Sequence, residues 1–377
     1  MEEREEFAEL RHRLAQAMDA RCDWPADSPW IREAVRKLPR HRFAPDRLWS
    51  WDGSGYAPAG RATEPGRWAE LVYPGPDGAT ITQVTDGLPS SSLSCQAIVV
   101  DMLDSLMVNR GHRVLELGTG AGWNAALLAA RAGAGLVTSM EIDAGLAAVA
   151  RERLDAVGAG VVVKVGDGTH GDPEGAPYDR LMATYAVDEV PWSWVEQTRS
   201  GGRIVTPWGR LGHVALTVAA DGRSASGWVQ GLATFMPSRG TDQGRSRHEV
   251  RGDGPPEVEG LFPRNPLPLR ADSGLLFALR VMLPDVRITT EAEEGVTAWL
   301  HDGDSSWATL VATPDGHAVA YQGGPRRLAD EIDRAWQRWQ SGGAPDLYDF
   351  GITRTAHEQY VWSGDKDTGP RWEPALR

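Results

Sequence analysis

Short apolar runs and amphipathic segments alternate through the middle of the chain. Two segments in which apolar residues recur at helical spacing, Trp123–Ala132 and Ala144–Val157, separate the early runs. Runs without polar alternation are typical of strands that are buried on both faces of a parallel sheet. They occur at Arg113–Leu117, Leu136–Glu141, Val161–Val165, Asp179–Thr184 and Arg203–Thr206. The alternation predicts the α/β class, with a doubly wound parallel sheet.

The residues before this region have a different pattern. The first 20 residues and Trp30–Leu38 predict helices. Residues 50–90 are rich in Gly, Pro, Thr and Ser and predict a long irregular segment with one hairpin. Because long irregular segments in compact proteins usually carry function, we expect this one to lie on the substrate side. Ser91 or Ser92 is placed to cap the helix that follows.

The residues after the region predict a second folded part. Residues 237–260 are polar and rich in Gly, Pro and Arg, which is typical of a linker. Beyond them, strand patterns joined by a turn at Pro314-Asp315-Gly316 precede a helix at Pro325–Gln340. We therefore predict an additional C-terminal α+β domain. The predicted divisions are 1–90 for the N-terminal helices and irregular segment, 91–236 for the cofactor-binding core, 237–260 for the linker and 261–377 for the C-terminal domain.

Composition and charge limit the classes of function. A formal net charge of -13 repels phosphates and argues against a nucleic-acid partner. The two cysteines are too few for a disulfide framework or a cysteine metal cage, and no H-E-x-x-H motif occurs, so we predict no metal. The charged first residues lack the apolar core of a signal peptide, and no apolar stretch approaches the roughly 20 residues that span a bilayer. We expect a cytoplasmic protein with no membrane partner.

The chemistry of the site begins at a glycine-rich loop. Glu116 is followed by Leu117-Gly118-Thr119-Gly120-Ala121-Gly122, between a predicted strand and a predicted helix. Glycines let the main chain turn sharply and let a ligand approach closely. A dinucleotide loop reads G-x-G-x-x-G; counted from Gly118 its third glycine falls on Trp123, and counted from Gly120 it falls on Ala125, a tolerated variant. The spacing acidic-x-G-x-G-x-G favours S-adenosylmethionine instead, with Glu116 facing its ammonium group, and predicts a methyltransferase.

Further acidic residues follow the next two strands. Glu141 ends the second strand, where a carboxylate accepts hydrogen bonds from both ribose hydroxyls. Asp167 and Gly168 follow the third strand, where an aspartate side chain meets an adenine amino group. Together these positions predict a cofactor site at the ends of three consecutive strands. Its predicted residues are Glu116, Gly118, Thr119, Gly120, Gly122, Glu141, Asp167 and Gly168.

The chain resembles the protein-L-isoaspartate O-methyltransferase family between about Leu38 and Gly209. The segment Leu38–Pro45 is similar to a motif near the start of that family, and Val114–Ala130 is similar to its cofactor loop. Ala176–Arg180 and Gly201–Val205 resemble its later strands. The resemblance implies a class I methyltransferase fold of the Rossmann type, S-adenosylmethionine as cofactor and a carboxylate as methyl acceptor.

A serine-containing segment is the part of the resemblance that implies a catalytic residue. Ser92-Leu93-Ser94-Cys95-Gln96 stands where the family carries Thr-Ile-Ser-Gln-Pro. The resemblance thus implies that Ser94 is the active-site serine and that Ser92 and Leu93 touch the cofactor. Cys95-Gln96 replaces the family's Gln-Pro, which is a departure from its pattern.

The C-terminal part resembles the branch of the family that acts on ribosomally made peptides. In that branch the enzyme methylates an aspartate of a precursor peptide, and the ester collapses to an aspartimide. We therefore expect a peptide or protein substrate bearing Asp or isoAsp. Isoaspartyl protein repair is the alternative, followed by a small-molecule methyltransferase and by a non-catalytic peptide-binding protein, which would be expected to lose the acidic residues of the cofactor loop.

Overall fold

The computed structural model describes residues 5–209, 212–241, 244–290, 296–313 and 317–374. The chain divides into two compact units: Met1–Ala225 with Ala233–Arg239, and Ser226–Leu232 with Gly240–Arg377. The four divisions predicted from the sequence stay a prediction. The predicted turn at residues 314–316 lies outside the described residues.

The first unit begins with helices and a small antiparallel sheet. Its four strands follow the order β2-β1-β3-β4. The elements are α1 (Glu5–Arg21), α2 (Pro29–Lys37), β1 (Arg47–Trp51), β2 (Tyr56–Gly60), α3 (Pro65–Val72), β3 (Thr80–Thr85) and β4 (Leu88–Leu93).

The prediction of a long irregular segment with one hairpin at residues 50–90 is wrong in its first part, because the segment also contains β2 and α3. Strands β3 and β4 form a hairpin whose turn, Asp86-Gly87, has positive φ angles of 51° and 78°. An Asp-Gly pair between two extended runs is a strong hairpin signal, because both central residues of such a turn need positive φ. The high content of Gly, Pro and Ser in this segment reflects the turns of the small sheet. Composition alone did not indicate that four strands lie between and beside these turns.

A larger sheet with helices follows, within the residues for which the sequence predicts a cofactor-binding core. The strand order in this unit is β10-β9-β8-β5-β6-β7, with β5 to β9 parallel and β10 antiparallel to β9. The elements are α4 (Gln96–Leu106), β5 (Val114–Leu117), α5 (Trp123–Ala132), β6 (Val137–Glu141), α6 (Ala144–Ala156), β7 (Val162–Val165), β8 (Tyr178–Ala183), α7 (Trp192–Gln197), β9 (Thr198–Trp208) and β10 (Gly212–Val218). The predicted α/β doubly wound sheet is confirmed.

The order of the strands fixes where a ligand can bind. The chain runs from β5 outward to β7 and then returns to β8 on the other side of β5. The carboxyl ends of the strands at such a reversal form a crevice that binds ligands in open α/β sheets. All four residues of β5 are buried, as are Leu127 and Leu128 of α5, so the element that carries the glycine loop is held in the core.

The second unit has two sets of strands and a prominent helix. One sheet follows the order β12-β16-β15-β14-β13, and the other strands follow the order β19-β18-β17-β11. The elements are β11 (Ser224–Leu232), α8 (Arg247–Arg251), β12 (Val258–Phe262), α9 (Pro268–Ala271), α10 (Ser273–Met282), β13 (Arg287–Thr289), β14 (Val296–His301), β15 (Trp307–Ala312), β16 (Ala318–Gly323), α11 (Leu328–Ser341), β17 (Phe350–Thr355), β18 (Gln359–Ser363) and β19 (Arg371–Trp372).

Helix α11 and the predicted linker show what patterning could and could not predict here. The apolar side of α11, including Ile332, Trp336 and Trp339, is buried as its spacing predicts. Within residues 237–260, by contrast, α8 forms behind a capping box in which Ser246 and Glu249 bond reciprocally to the main chain. The additional C-terminal α+β part is confirmed.

Two classes of feature do not occur among the described residues. No helix there is long and apolar enough to cross a membrane. No group of three or more His, Cys, Asp or Glu side chains in the same residues is arranged to hold a metal ion.

Candidate active site

Three glycines at alternate positions form the turn between β5 and α5. Gly118, Gly120 and Gly122 have φ angles of 94°, 51° and 89°, in the left-handed region that favours glycine. A side chain at Gly118 would also collide with the hydroxyl group of Thr184. The predicted glycine loop therefore favours glycine at all three positions because of conformation, and at Gly118 also because of space.

The middle of the loop lies beside strand β4. A Cβ atom at Gly120 would be 3.7 Å from Oγ of Ser91 and 3.8 Å from the carbonyl oxygen of Ser92, which are ordinary contact distances. Strand β4 leads directly into Leu93 and Ser94. The fold thus brings the predicted glycine loop and the predicted serine segment together, although helix α4 separates them in sequence.

Glu116 lies at the base of the loop, fully buried. Its Oε1 accepts a hydrogen bond of 2.8 Å from the Asn124 amide, and its Oε2 accepts one from the Ser139 hydroxyl. The Thr119 hydroxyl lies 2.6 Å from the Ser139 hydroxyl and extends this buried network. Burial raises the pKa of Glu116 to about 7, against the lowering effect of its two donors, and the neighbouring Glu141 raises it further. Near neutral pH this carboxyl group can therefore bind or release a proton.

Glu141 connects the loop to the end of β6. Its Oε2 accepts the N–H of Gly120 at 2.8 Å, and its Oε1 accepts the N–H of Asp143 at 3.1 Å. The side chain is buried, with 6% of its surface exposed. Each carboxylate oxygen keeps a second lone pair, so the group can still accept hydrogen bonds from a ligand.

Asp167 and Gly168 lie at the end of β7. The Asp167 side chain caps a short 3-10 helix, Gly168–His170, by accepting the N–H of Thr169 at 2.9 Å. That backbone hydrogen bond is the main cause that holds the pKa of Asp167 below its usual value. Asp167 is half exposed, whereas Gly168 is buried and its carbonyl accepts the indole N–H of Trp194 at 2.8 Å. An ionised acceptor is thus held at the third strand end.

Ser94 lies between the end of β4 and the start of α4. It is partly exposed, and its hydroxyl makes no hydrogen bond to any residue that the structure describes. Its carbonyl oxygen accepts a hydrogen bond of 2.6 Å from Nη1 of Arg40. Cys95 occupies the N-cap position of α4, so the prediction that Ser91 or Ser92 caps this helix is wrong. Pairing with β3 keeps the chain extended through Leu93, which moves the helix start beyond those serines.

Comparison with known proteins identifies the family. Residues 79–231 match the family model described as protein-L-isoaspartate(D-aspartate) O-methyltransferase. A protein-L-isoaspartate O-methyltransferase of Archaeoglobus fulgidus is 31% identical over 240 residues, which cover 62% of this chain and 95% of that protein. The chain belongs to the protein-L-isoaspartate O-methyltransferase family. It is accordingly an S-adenosylmethionine-dependent carboxyl O-methyltransferase.

Further relatives extend the similarity. A protein-L-isoaspartate O-methyltransferase of Methanoculleus marisnigri is 36% identical over 208 residues, covering 55% of this chain and 77% of that protein. Among solved structures, a protein-L-isoaspartate O-methyltransferase is 21% identical, with a TM-score of 0.47, and the similarity covers 89% of this chain and 95% of that one.

Tyr185 of this methyltransferase is a site residue that the sequence reasoning missed. Its ring lies against Gly118, where a Cβ atom would be 3.0 Å from Cδ1, and its hydroxyl would collide with a Cβ at Gly168. The hydroxyl has no hydrogen-bond partner in the described part of the chain, and burial, followed by the charges of Asp167 and Glu141, raises its pKa. A signal was available: a large aromatic residue stands two positions after β8, at the strand reversal where ligands bind.

The side chain of Arg239 connects the start of α6 to strand β3. Its Nη1 pairs with the carboxylate of Asp143 at 3.0 Å, and its Nη2 donates to Oε1 of Gln83 at 2.8 Å. Asp143 caps α6, and Gln83 belongs to β3 of the hairpin that leads to Ser94. The methyltransferase therefore connects the β6 end to the serine hairpin through a residue that the sequence assigned to a linker.

Proposed function

We propose that the protein transfers a methyl group to the carboxylate of an isoaspartyl residue in a protein or peptide. The relatives that are named protein-L-isoaspartate O-methyltransferases support this substrate class. The observation that supports the proposal is the approach of β4 to Gly120, because Ser91 and Ser92 lie beside the glycine loop and Ser94, whose hydroxyl has no partner among the described residues, follows directly after this strand.

The residues around the loop suit the cofactor. S-adenosylmethionine supplies a methyl group on a positively charged sulfur. Glu141 would accept hydrogen bonds from its ribose and Asp167 from its adenine amino group, and the ionisable Glu116 would face its ammonium group. Because Ser91 and Ser92 lie only at ordinary contact distance from a Cβ at Gly120, the main chain of Gly118, Thr119, Gly120 and Gly122 would be open to the cofactor. Ser92, Leu93 and Gly168 would complete the set of residues that hold it.

The acceptor needs no general base. A carboxylate with an ordinary pKa of about 3.9 is ionised at neutral pH and can attack a methyl group directly. The protein must instead hold one carboxylate oxygen in line with the methyl group, which is catalysis by proximity. The free hydroxyl of Ser94 would donate a hydrogen bond to the other oxygen and aim the group without neutralising it.

The ester has a defined fate. Methylation turns the carboxylate into an ester whose leaving group is methoxide. The neighbouring main-chain nitrogen then attacks the ester carbon, forms a five-membered imide and releases methanol with the proton from nitrogen. Imide formation takes place in the substrate itself and requires no further group of the enzyme.

Two synthetic peptides that differ at one residue, isoaspartate or aspartate, test the proposal. Each is incubated with the protein and S-adenosylmethionine and followed by mass spectrometry. We expect the isoaspartyl peptide to gain one methyl group and then to lose methanol, and the aspartyl peptide to remain unchanged. Failure to methylate the isoaspartyl peptide, under conditions in which calorimetry shows cofactor binding, would contradict the proposed substrate.

An aspartate of a ribosomally made precursor peptide is the second candidate substrate. The observation that favours it is the second compact unit, most of which lies beyond the residues that match the family model. An added folded unit can restrict an enzyme to one structured partner by offering it a further surface. Methylation of an aspartyl precursor peptide, with no turnover of short isoaspartyl peptides, would favour this candidate over the first.

A further inference from the structure

A buried cation lies directly behind the serine segment. Arg40 exposes only 1% of its surface, and no carboxylate of the described residues lies within ion-pair distance of it. Isolated buried charges are costly, and a guanidinium without a carboxylate partner must be compensated by other acceptors. Desolvation lowers the pKa of Arg40 to about 10, so the group still carries its charge at neutral pH.

The acceptors of Arg40 come from three parts of the N-terminal region. Its Nε donates to the carbonyl of Val72 at 3.1 Å, at the end of α3, where the last carbonyls have no partner within the helix. Its Nη2 donates to the Thr80 hydroxyl at 3.2 Å and to the Leu93 carbonyl at 3.3 Å, and its Nη1 donates to the Ser94 carbonyl at 2.6 Å. The planar fork of an arginine can serve all these acceptors at once, which a lysine cannot.

Two of those acceptors are the carbonyls of Leu93 and Ser94, in the segment that carries the proposed active-site serine. Leu93 is the last residue of β4, and Ser94 lies between it and Cys95, the N-cap of α4. The guanidinium also lies over the ring of Trp123, 4.8 Å from its centroid, and Trp123 directly follows the last glycine of the loop. Arg40 therefore touches both the serine segment and the first residue of the helix that follows the glycine loop.

We propose that Arg40 is a positioning residue, which fixes the main chain of Leu93 and Ser94 so that the serine hydroxyl meets the substrate carboxylate. This inference rests on the proposed function. Because its named donors are committed to protein acceptors, the guanidinium does not bind the substrate carboxylate itself. Its positive charge lies behind the serine, where it favours an anionic group without pairing with the nucleophilic oxygen.

Three variants separate positioning from general support of the fold. Arg40→Lys keeps the charge but loses the fork. Thr80→Val removes one acceptor from the same buried cluster and leaves both carbonyls of the serine segment bonded. Arg131→Lys is the matched control, since Arg131 also donates to a carbonyl, that of Val108, and lies over a tryptophan ring, away from the serine.

The first measurement compares turnover with stability. For Arg40→Lys we expect kcat on the isoaspartyl peptide to fall by at least about tenfold, because small misplacements of aligned groups are costly, with the KM for S-adenosylmethionine changed less than about threefold. Thr80→Val and Arg131→Lys should keep kcat near that of the unaltered protein, even where thermal unfolding shows a similar loss of stability. A kcat that falls in step with stability in both Arg40→Lys and Thr80→Val would overturn the proposal, as would an unchanged kcat in Arg40→Lys.

The second measurement needs no substrate. Hydrogen exchange of the amides at residues 93–97 should become faster in Arg40→Lys than in Arg131→Lys. Equal exchange in the two variants would overturn the proposal. If the unaltered protein methylates no peptide, the proposed function fails, and the exchange result still decides whether Arg40 holds the serine segment.

Discussion

The two halves of the candidate site are built differently. On the side that we assign to the cofactor, Glu116 and Glu141 are buried and already accept hydrogen bonds from the protein through both of their oxygens. On the side that we assign to the substrate, the Ser94 hydroxyl has no partner in the described residues, and the Ser94 carbonyl accepts a hydrogen bond from Arg40. A preorganised network suits a ligand of constant shape, whereas an unpaired donor suits a group that arrives with each substrate. Substitutions on the cofactor side should therefore lower the affinity for S-adenosylmethionine, whereas substitutions on the substrate side should lower kcat.

The largest effect is expected on the substrate side. Ser94→Ala removes this hydrogen-bond donor, and we expect kcat to fall by about a hundredfold, because a small misplacement of the carboxylate relative to the methyl group can cost that much. The Kd for S-adenosylmethionine, measured by calorimetry, should stay unchanged. Ser90→Ala is the control, because Ser90 lies in the same strand and bonds to Gln83 and Thr85. Methyl transfer by Ser94→Ala at the normal rate would remove Ser94 from the site.

Glu141→Ala should act on the opposite side. It removes the acceptor of the Gly120 and Asp143 N–H groups, and hydrogen bonds to charged groups each contribute about 1.5–3 kcal/mol. We expect the Kd for S-adenosylmethionine to rise by about tenfold to a hundredfold. Glu152→Gln, an exposed change on α6, serves as the control. An unaltered Kd in calorimetry would exclude Glu141 from the ribose site.

Cofactor binding should depend on pH through Glu116. Its pKa in the folded protein is raised by burial to about 7, so the ionised form that attracts an ammonium group becomes populated as the pH rises from 6 to 7.5. We expect S-adenosylmethionine to bind several-fold more tightly at the upper end of this range, and Glu116→Gln to bind more weakly and without this dependence. A pH-dependent Kd that persists in Glu116→Gln would contradict the assignment.

The ionisation of Glu116 should also make the free energy of unfolding depend on pH. Because its folded pKa is raised, its stabilising contribution is complete below the ordinary value of 4.5 and is lost as the pH rises through about 7. The change amounts to about 3 kcal/mol at 1.36 kcal/mol per pKa unit. Urea unfolding of the cofactor-free protein should therefore show a decline between pH 4.5 and 7 that is smaller in Glu116→Gln. Parallel curves for the two proteins would argue that Glu116 is not buried in this way.

The smallest effect is expected where the two halves are joined at the surface. Arg239→Ala removes the ion pair with Asp143 and the bond to Gln83, and exposed pairs of this kind contribute about 0.2–1 kcal/mol. We expect S-adenosylmethionine to dissociate less than about fivefold faster, with the difference reduced at high salt. Stopped-flow measurement of dissociation checks this, and an effect as large as that of Glu141→Ala would show that the two halves are not separately built.

The residues that we assign to the cofactor form a pattern in the sequence, whereas the contacts that support the serine segment do not, for a physical reason. The glycine loop, Glu141 and Asp167 lie at the ends of the consecutive parallel strands β5, β6 and β7, so the pattern of apolar runs along the chain was enough to align them. The partners of Arg40 lie 32 to 54 residues away in regions with no periodic relation to it, so no pattern links them. Tyr185 is not acidic and belongs to no recognised motif, so only its place after β8, at the strand reversal, indicates a position near a ligand.

The bond between Trp123 and the N-terminal region limits how the enzyme can be shortened. The indole N–H of Trp123 donates to the carbonyl of Leu38 at 2.8 Å, two residues before Arg40. A fragment trimmed to the family match, residues 79–231, would leave this indole and the carbonyls of Leu93 and Ser94 without their donors or acceptors. We therefore expect the shortest active fragment to begin at or before Leu38. A shorter fragment would keep the glycine loop but would lose the hydrogen bonds from Arg40 that hold the main chain of Ser94.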